Sequence, residues 1–482
     1  MKIGLPKISF PIEKVSKYIP GVEKPTYKQT INARLKWTGV ALLLYFVLSA
    51  IKVFGIESAN FEQFRFYEIV LGSKFGSLMT LGIGPIVTSG ILLQLLVGSK
   101  IINWDTTKPE EREKFTMWNK FLAVLLCFIE GIAFVLAGTL PVTGGPLFMA
   151  FVVLQLAAGA MIVILLDELV SKWGFGSGVS LFIAAGVGSQ ILIRIFSPFT
   201  VNCVPGDIMS CIPGVGNPPT GLMWSFIVNV FSNNSYQAML AILPIISTAL
   251  VFILVVYIQN VRIEIPLAFS SLRGFGRSWP LKLLYTSNIP VILTAAVVAN
   301  LQLVAHMGVT PNEAGMECGL LGCFDPQTNQ PVSGFVYYVT APRNLLSDVA
   351  ALNVESSELV RATTYTLFMC IFAMIFSVFW VTTSGMDAAS VAEQLEGIGM
   401  QIPGYRRDTR IMESVLNKYI PALAVLGGLC VGLLAAFADF TGAIGTGTGM
   451  LLTVMIVYNY YEELSAQRLD EAHPFVRKLF GE

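Results

Sequence analysis

Gly82-Ile83-Gly84-Pro85-Ile86-Val87-Thr88-Ser89-Gly90 opens one long apolar run, and Ser287-Asn288-Ile289-Pro290-Val291-Ile292-Leu293 opens another much further along the chain. Each places a proline at the start of a stretch that is otherwise made for a membrane helix. Interrupted hydrophobic segments at corresponding positions of two halves mark the functional centre of an inverted-repeat membrane protein. Taken singly, such a proline has a plainer reading, because neighbouring helices can satisfy the carbonyl it frees. Whether the two breaks correspond depends on how many spans separate them.

Composition supports a membrane reading throughout. Of 482 residues, 54% are hydrophobic and only 13% charged, and the mean hydropathy is +0.68, too apolar for a soluble domain. A hydrocarbon core of about 30 Å needs about 20 apolar residues per helix. Runs of that kind lie near 37–55, 78–97, 117–138, 147–169 and 178–197, then near 237–258, 287–305, 361–383, 418–439 and 444–463. The expected fold is all-α, with ten transmembrane helices. The net charge is zero, which by itself says nothing about nucleic acid, because 31 basic and 31 acidic residues cancel; their placement carries the information.

Lysine and arginine concentrate in alternate segments. The first 36 residues hold Lys2, Lys7, Lys14, Lys17, Lys24, Lys28, Arg34 and Lys36, and further basic residues fill 98–116, 170–177, 259–286, 384–418 and 464–482. The intervening segments, 56–77, 139–146, 198–236, 306–360 and 440–443, hold Arg65, Lys74 and Arg343. Basic loops stay in the cytoplasm, so both termini are expected there and the span count must be even. No small-residue cleavage site follows the first apolar run, which excludes a secretory signal peptide. The basic N-tail reads either as a solvated tail or as a helix lying on the headgroups.

Ten spans form two sets of five, 37–197 and 237–463, joined by an external loop at 198–236. Five is odd, so the second set starts on the opposite side of the membrane and any repeat is inverted. The two proline breaks then fall on the second span of each half. Before the first break, Arg65-Phe66-Tyr67-Glu68-Ile69-Val70-Leu71-Gly72-Ser73-Lys74-Phe75 is too short and too charged to cross a bilayer. It reads as a re-entrant half-helix at the mouth of an outer funnel, since irregular backbone at membrane depth needs protein or water beside it; an ordinary external loop is the alternative.

At this point the motifs resemble a known family. Leu81 to Gly90 with Gln94-Leu95-Leu96-Val97-Gly98, Gly174-Phe175-Gly176-Ser177-Gly178-Val179-Ser180-Leu181-Phe182-Ile183, Ser287 to Leu293, Met400 to Arg406 and Gly445 to Leu452 occur in order on the expected spans. Together they resemble the SecY family, the large subunit of the Sec translocon, in its archaeal and eukaryotic form, from about residue 25 to the C-terminus. The resemblance implies an hourglass pore that passes unfolded polypeptide and opens sideways to release transmembrane segments into lipid. Matched motif by motif, it implies a constriction ring of Ile83, Val87, Val179, Ile183, Ile292 and Leu452. Both pairs are spaced i, i+4 and share a helix face, and an apolar constriction blocks ions by dewetting.

The same resemblance makes residues 65–75 a plug. It puts a lateral gate between the second and third spans and the seventh and eighth, with Gln94, Glu130 and Asn288 as its polar residues. A carboxylate within a span costs about 2.5 to 3.5 kcal/mol on insertion scales, so Glu130 is expected to face protein or water, in a gate bond or a permanent interhelical one. The implied partners are gamma (SecE-type) and beta subunits, a ribosome, the signal recognition particle receptor, signal-bearing nascent chains and lipid, at the plasma membrane. Loops 259–286 and 384–417 suit a ribosome's phosphates, through Arg273, Arg277, Arg406 and Arg407. Ala388-Ala389 stands where the family often has Pro-Lys, which removes one expected basic contact.

Four cysteines lie in outer loops, where thiols pair; Cys203 is expected to bond Cys211, and Cys318 to bond Cys323, with metal binding as the alternative. The only histidines, His306 and His473, fall outside the predicted spans, so no membrane-buried metalloprotease motif or Ser-His pair forms. There is no phosphate-binding loop, no cofactor motif, and no enzyme is expected. A secondary transporter of a small solute remains the alternative by architecture; it would need a polar midplane site, where the motif match puts an aliphatic ring.

Overall fold

A computed structural model describes residues 21–27, 29–56, 68, 72–98, 101–102, 104, 108–137, 140, 142, 145–200, 219–269, 276–286, 288–306, 309–311, 316–325, 330–342, 345–350, 355–397, 399–401 and 408–471. In chain order the helices of the first part are α1 (Ile31–Ala50), α2 (Gly84–Gly98), α3 (Pro109–Leu136), α4 (Pro146–Trp173), α5 (Gly178–Phe196) and the short α6 (Leu222–Phe231). Then follow α7 (Ser235–Gln259), α8 (Ile289–His306), the short α9 (Phe335–Val339) and α10 (Leu345–Ala350), α11 (Ser356–Thr383), α12 (Ala388–Gly397), α13 (Thr409–Phe440) and α14 (Gly447–Glu471). The long helices follow the apolar runs of the sequence one for one.

Their starts have ordinary chemical causes. Thr30 accepts from the Ala33 N–H to cap α1, Asp408 accepts from the Arg410 N–H at 2.9 Å to cap α13, and α3 and α4 open on prolines, Pro109 and Pro146, whose missing N–H has no partner to lose there. Eight helices among the described residues are long and apolar enough to cross a bilayer alone. The exceptions are α2 and α14, and both are interior. α2 has 15 residues, which reaches only about 22 Å at 1.5 Å per residue. α14 buries Met450, Leu451, Leu452, Val454, Met455 and Ile456 against neighbouring protein, so it needs less lipid-facing apolar surface.

The second span corrects the sequence reading, which began its helix at 78. Residues 72–83 are a chain of turns, with Gly82 at φ +51°. This irregular backbone survives because it is wrapped in protein: Met79, Leu81 and Ile83 are fully buried. The Leu78 carbonyl packs so close to Gly159 of α4 that a Cβ there would sit 1.9 Å from it. The Val53 N–H donates to the Gly76 carbonyl, and the Leu78 N–H to the Ile51 carbonyl, both at 3.0 Å, so the end of α1 holds the segment in place.

Two small sheets qualify the all-α expectation. β1 (Arg262–Phe269), β2 (Gly276–Lys282) and β7 (Met400–Gln401) form one, in the order β2-β1-β7. The other has four short strands, β3 (Thr310–Pro311), β4 (Glu317–Gly319), β5 (Gly322–Phe324) and β6 (Pro331–Gly334). α13 lies tightly on α11 through Gly428 and Gly432, whose added Cβ atoms would meet the Ala373 carbonyl at 2.8 Å and Cys370 Cα at 2.9 Å. Small residues allow this close approach, from which membrane helices gain their packing energy.

Candidate functional site

Side chains from the two broken starts, around Pro85 and Pro290, share one large hydrophobic cluster with side chains of α5 and α14. Ile83, Val87, Ile183, Ile292 and Leu452 are buried members of a single hydrophobic cluster, and Val179 packs against it. Ile83, Ile183 and Leu452 are 0% exposed. All six expected ring residues therefore lie in one apolar cluster, five of them from four separate helices and Ile83, placed on the second span's helix by the sequence reading, from the turn just before α2.

Gly72-Ser73-Lys74-Phe75 abuts this cluster. The Tyr45 hydroxyl of α1 donates to the Gly72 carbonyl at 3.0 Å, while the Tyr45 ring stacks on Phe182 at 5.0 Å. Gly72 takes φ +50°, and a Cβ on it would touch the Ile183 backbone at 3.5 Å. The Glu68 carboxylate accepts from the Phe75 N–H at 2.9 Å and its carbonyl from the Ser73 N–H at 2.9 Å. The expected half-helix is thus corrected at one end: Glu68 is helical, but Gly72–Phe75 is turn. Arg65, Phe66, Tyr67, Ile69, Val70 and Leu71 lie outside the described residues.

α2 packs against α3 on one side and against α8 and α11 on the other. Gln94, Glu130 and Asn288 are all buried, as expected of polar groups inside a bilayer. Two residues that the sequence reading did not single out complete this seam. The Asn300 side-chain N–H of α8 donates to the Thr88 hydroxyl of α2 at 3.4 Å, and Thr88 also hydrogen-bonds Glu130. Thr88 follows ring residue Val87 directly, so its place in the motif was the available signal; nothing local marks Asn300. At the Gly98 end of α2, a Cβ would stand 2.9 Å from the Phe379 ring of α11.

The two basic loops prove to be one unit. β1 and β2 pair in an antiparallel hairpin with Leu267 opposite Arg277, and Ala268 and Phe269 pair with Gln401 and Met400 of the second loop. The Tyr285 hydroxyl donates to the Met386 carbonyl at 2.8 Å, and Lys282 pairs with Glu462 of α14. Burial, with Asp387 nearby, pushes the Tyr285 phenol up to about 12, so it stays a donor. Arg273, Arg406 and Arg407 lie outside the described residues. In the four-stranded sheet, Cys318 and Cys323 are joined at an S–S distance of 2.05 Å; Cys203 and Cys211 are outside the described residues.

Broken helices meeting at a buried aliphatic cluster, with a turn segment wedged beneath it and a polar seam beside it, define a multi-pass membrane protein of the channel class. The comparisons with known proteins are specific. The SecY family model matches residues 77–461. The protein translocase subunit SecY of Pyrococcus furiosus is 43% identical over 480 residues, 98% of each chain. Two solved structures, each 39% identical over 95% of this chain and 98% of theirs, superpose with TM-scores of 0.78 and 0.76. The first is described as showing that the plug domain of SecY stabilises the closed translocation channel and maintains a membrane seal; the second is Sec61 in the canine ribosome-channel complex of the endoplasmic reticulum. The chain belongs to the SecY family.

Proposed function

We propose that this chain is the channel subunit of a protein translocase, passing unfolded polypeptides across the membrane and releasing apolar segments sideways into lipid. The observation that carries the reading is the convergence of Ile83, Val87, Val179, Ile183, Ile292 and Leu452 on one apolar cluster. Such a ring excludes water and ions without forming a sequence-specific bond to whatever displaces it. That suits a polypeptide of any sequence and offers nothing to a small polar solute.

The surrounding parts take roles accordingly. Residues 65–75 act as the plug, held at its inner end by Tyr45. The seam between α2 with α3 and α8 with α11 acts as the lateral gate, with the Thr88–Asn300 bond and the buried Gln94, Glu130 and Asn288 on its walls. The basic loops dock the ribosome through Arg273, Arg277, Arg406 and Arg407, supported by a relative seen in a ribosome-channel complex and by the strand pairing that joins the two loops. Both termini face the cytoplasm, the two five-helix sets are inverted copies, and small gamma (SecE-type) and beta subunits with the signal recognition particle receptor complete the machinery.

Reconstitution with those small subunits into vesicles, fed by ribosomes translating a signal-bearing secretory chain, tests the function. The chain becomes protected from added protease inside the vesicles. Vesicles that give no protection, yet take up a small solute, would return the protein to the transporter class.

A further inference from the structure

The first turns of the two pore helices α5 and α14 are held by carboxylates from the helices that precede them. Asp167 of α4 accepts from the Val179 N–H at 2.9 Å, and from that of Gly178. Asp439 of α13 accepts from the Thr448 N–H at 2.9 Å, and from that of Gly447. The first N–H groups of a helix have no intrahelical acceptor, and a carboxylate suits the positive end of the dipole. The usual supplier is the residue just before the helix. Here Ser177 occupies that place on α5 and makes no side-chain cap bond.

The two arrangements match in detail. Each carboxylate sits near the end of the fourth long helix of its set, and its donors are the first two residues of the fifth. In each case the second donor lies four residues, one helical turn, before a ring residue: Val179 before Ile183, and Thr448 before Leu452. Both first positions are glycine and both are pressed on the carboxylate-bearing helix. A Cβ on Gly178 would stand 2.6 Å from Asp167 Cα, and one on Gly447 would stand 1.8 Å from the Ala438 carbonyl carbon. Both connections turn through left-handed backbone, at Gly176 (φ +61°) and at Gly445 and Thr446 (φ +82° and +65°). Asp439 has one further tie, the Tyr365 hydroxyl of α11 at 2.7 Å, and it also pairs with the Thr448 hydroxyl.

A cap supplied by the helix's own chain satisfies the N–H groups but leaves the helix free to turn or slide against its neighbour. A cap supplied by the neighbour fixes both. Each residue turns the helix by about 100°, so a slip of one residue would carry Ile183 or Leu452 off the constriction. We propose that Asp167 and Asp439 are paired positioning residues, equivalent by the inverted repeat, that clamp the two pore helices and so set the resting fit of the ring. The proposal rests on the ring reading given above.

Resting ion leak through the purified complex in planar bilayers, measured beside its thermal unfolding, tests it. Ile183→Ser is the positive control for the ring, and Leu395→Ala, in a separate cluster on α12, controls for lost stability without a clamp. Asp167→Ala and Asp439→Ala each raise the leak several-fold, in the direction of Ile183→Ser, while Leu395→Ala does not. Asparagine still accepts at a helix start, so Asp167→Asn and Asp439→Asn stay within about twofold of the parent. If the alanine variants do not fold, Tyr365→Phe with Thr448→Val, which removes two donors of Asp439, raises the leak instead. Wild-type leak in the folded variants while Ile183→Ser leaks overturns the clamp and leaves the ring standing. A leak that tracks melting temperature, Leu395→Ala included, overturns it too. A tight Ile183→Ser channel would bring down the ring reading, and the clamp with it.

Discussion

The constriction and the seam beside it are built from opposite materials. The six proposed ring side chains are aliphatic, come from four helices and the turn just before one of them, and make no hydrogen bonds through their side chains; their contact is packing alone. The seam beside it carries Thr88, Asn300, Glu130, Gln94 and Asn288, and the hydrogen bond that crosses it from Asn300 to Thr88 is long at 3.4 Å. A packed aliphatic contact is non-directional, so a passing chain can replace it side chain for side chain. A long hydrogen bond in a bilayer contributes about 0.6 kcal/mol on average, so it breaks readily yet re-forms in one register. In the proposed function the difference separates two jobs: a seal indifferent to sequence, and a side door that closes in one place.

The largest effect comes from making the two materials alike. Ile83→Asn with Ile292→Asn puts wettable groups at the constriction and raises resting ion conductance by about tenfold or more, since a polar lining removes the dewetting barrier; single-channel recording reads it. Next, Gly428→Leu forces a side chain against the Ala373 carbonyl and pries α13 from α11. Overpacking of this kind costs about 1 to 3 kcal/mol, seen as a lower melting temperature in detergent. Thr88→Val removes the cross-seam bond and loosens the gate by well under 1 kcal/mol. Weakly apolar test segments then insert into lipid more often, while resting conductance stays unchanged. The smallest effect follows from Cys318→Ser with Cys323→Ser, which opens the tip of the β4–β5 hairpin and leaves translocation rates as they were.

The same contrast governs what the sequence could disclose. The long helices were legible because bilayer thickness imposes a length on apolar runs; the six expected ring residues came only from the resemblance of their motifs to the SecY family. The helix start at Gly84 was not legible, since the turn residues 78–83 (Leu-Met-Thr-Leu-Gly-Ile) are nearly as apolar as a helix and hydropathy does not register their backbone. The β1 strand carries a legible signal in Arg262-Ile263-Glu264-Ile265, whose alternation has the period of a strand; the basic charges around it drew the reading to docking alone. The pairing of β1 with β7 and the Thr88–Asn300 bond join residues far apart in the chain, and no local pattern marks such partners. Asp167 was readable only as a charge near a helix end, because its role depends on where the next helix begins.

Photo-crosslinking from within the channel tests the central claim most directly. A crosslinking amino acid is placed at Ile83, Ile183 or Ile292, and at the outward-facing Leu92 or Leu192, which are 43% and 60% exposed, and a secretory chain is stalled midway by its ribosome. The ring positions crosslink to the stalled chain and the outward positions do not. Crosslinks from Leu92 and Leu192, with none from Ile83, Ile183 or Ile292, would place the path of the polypeptide elsewhere and contradict the account.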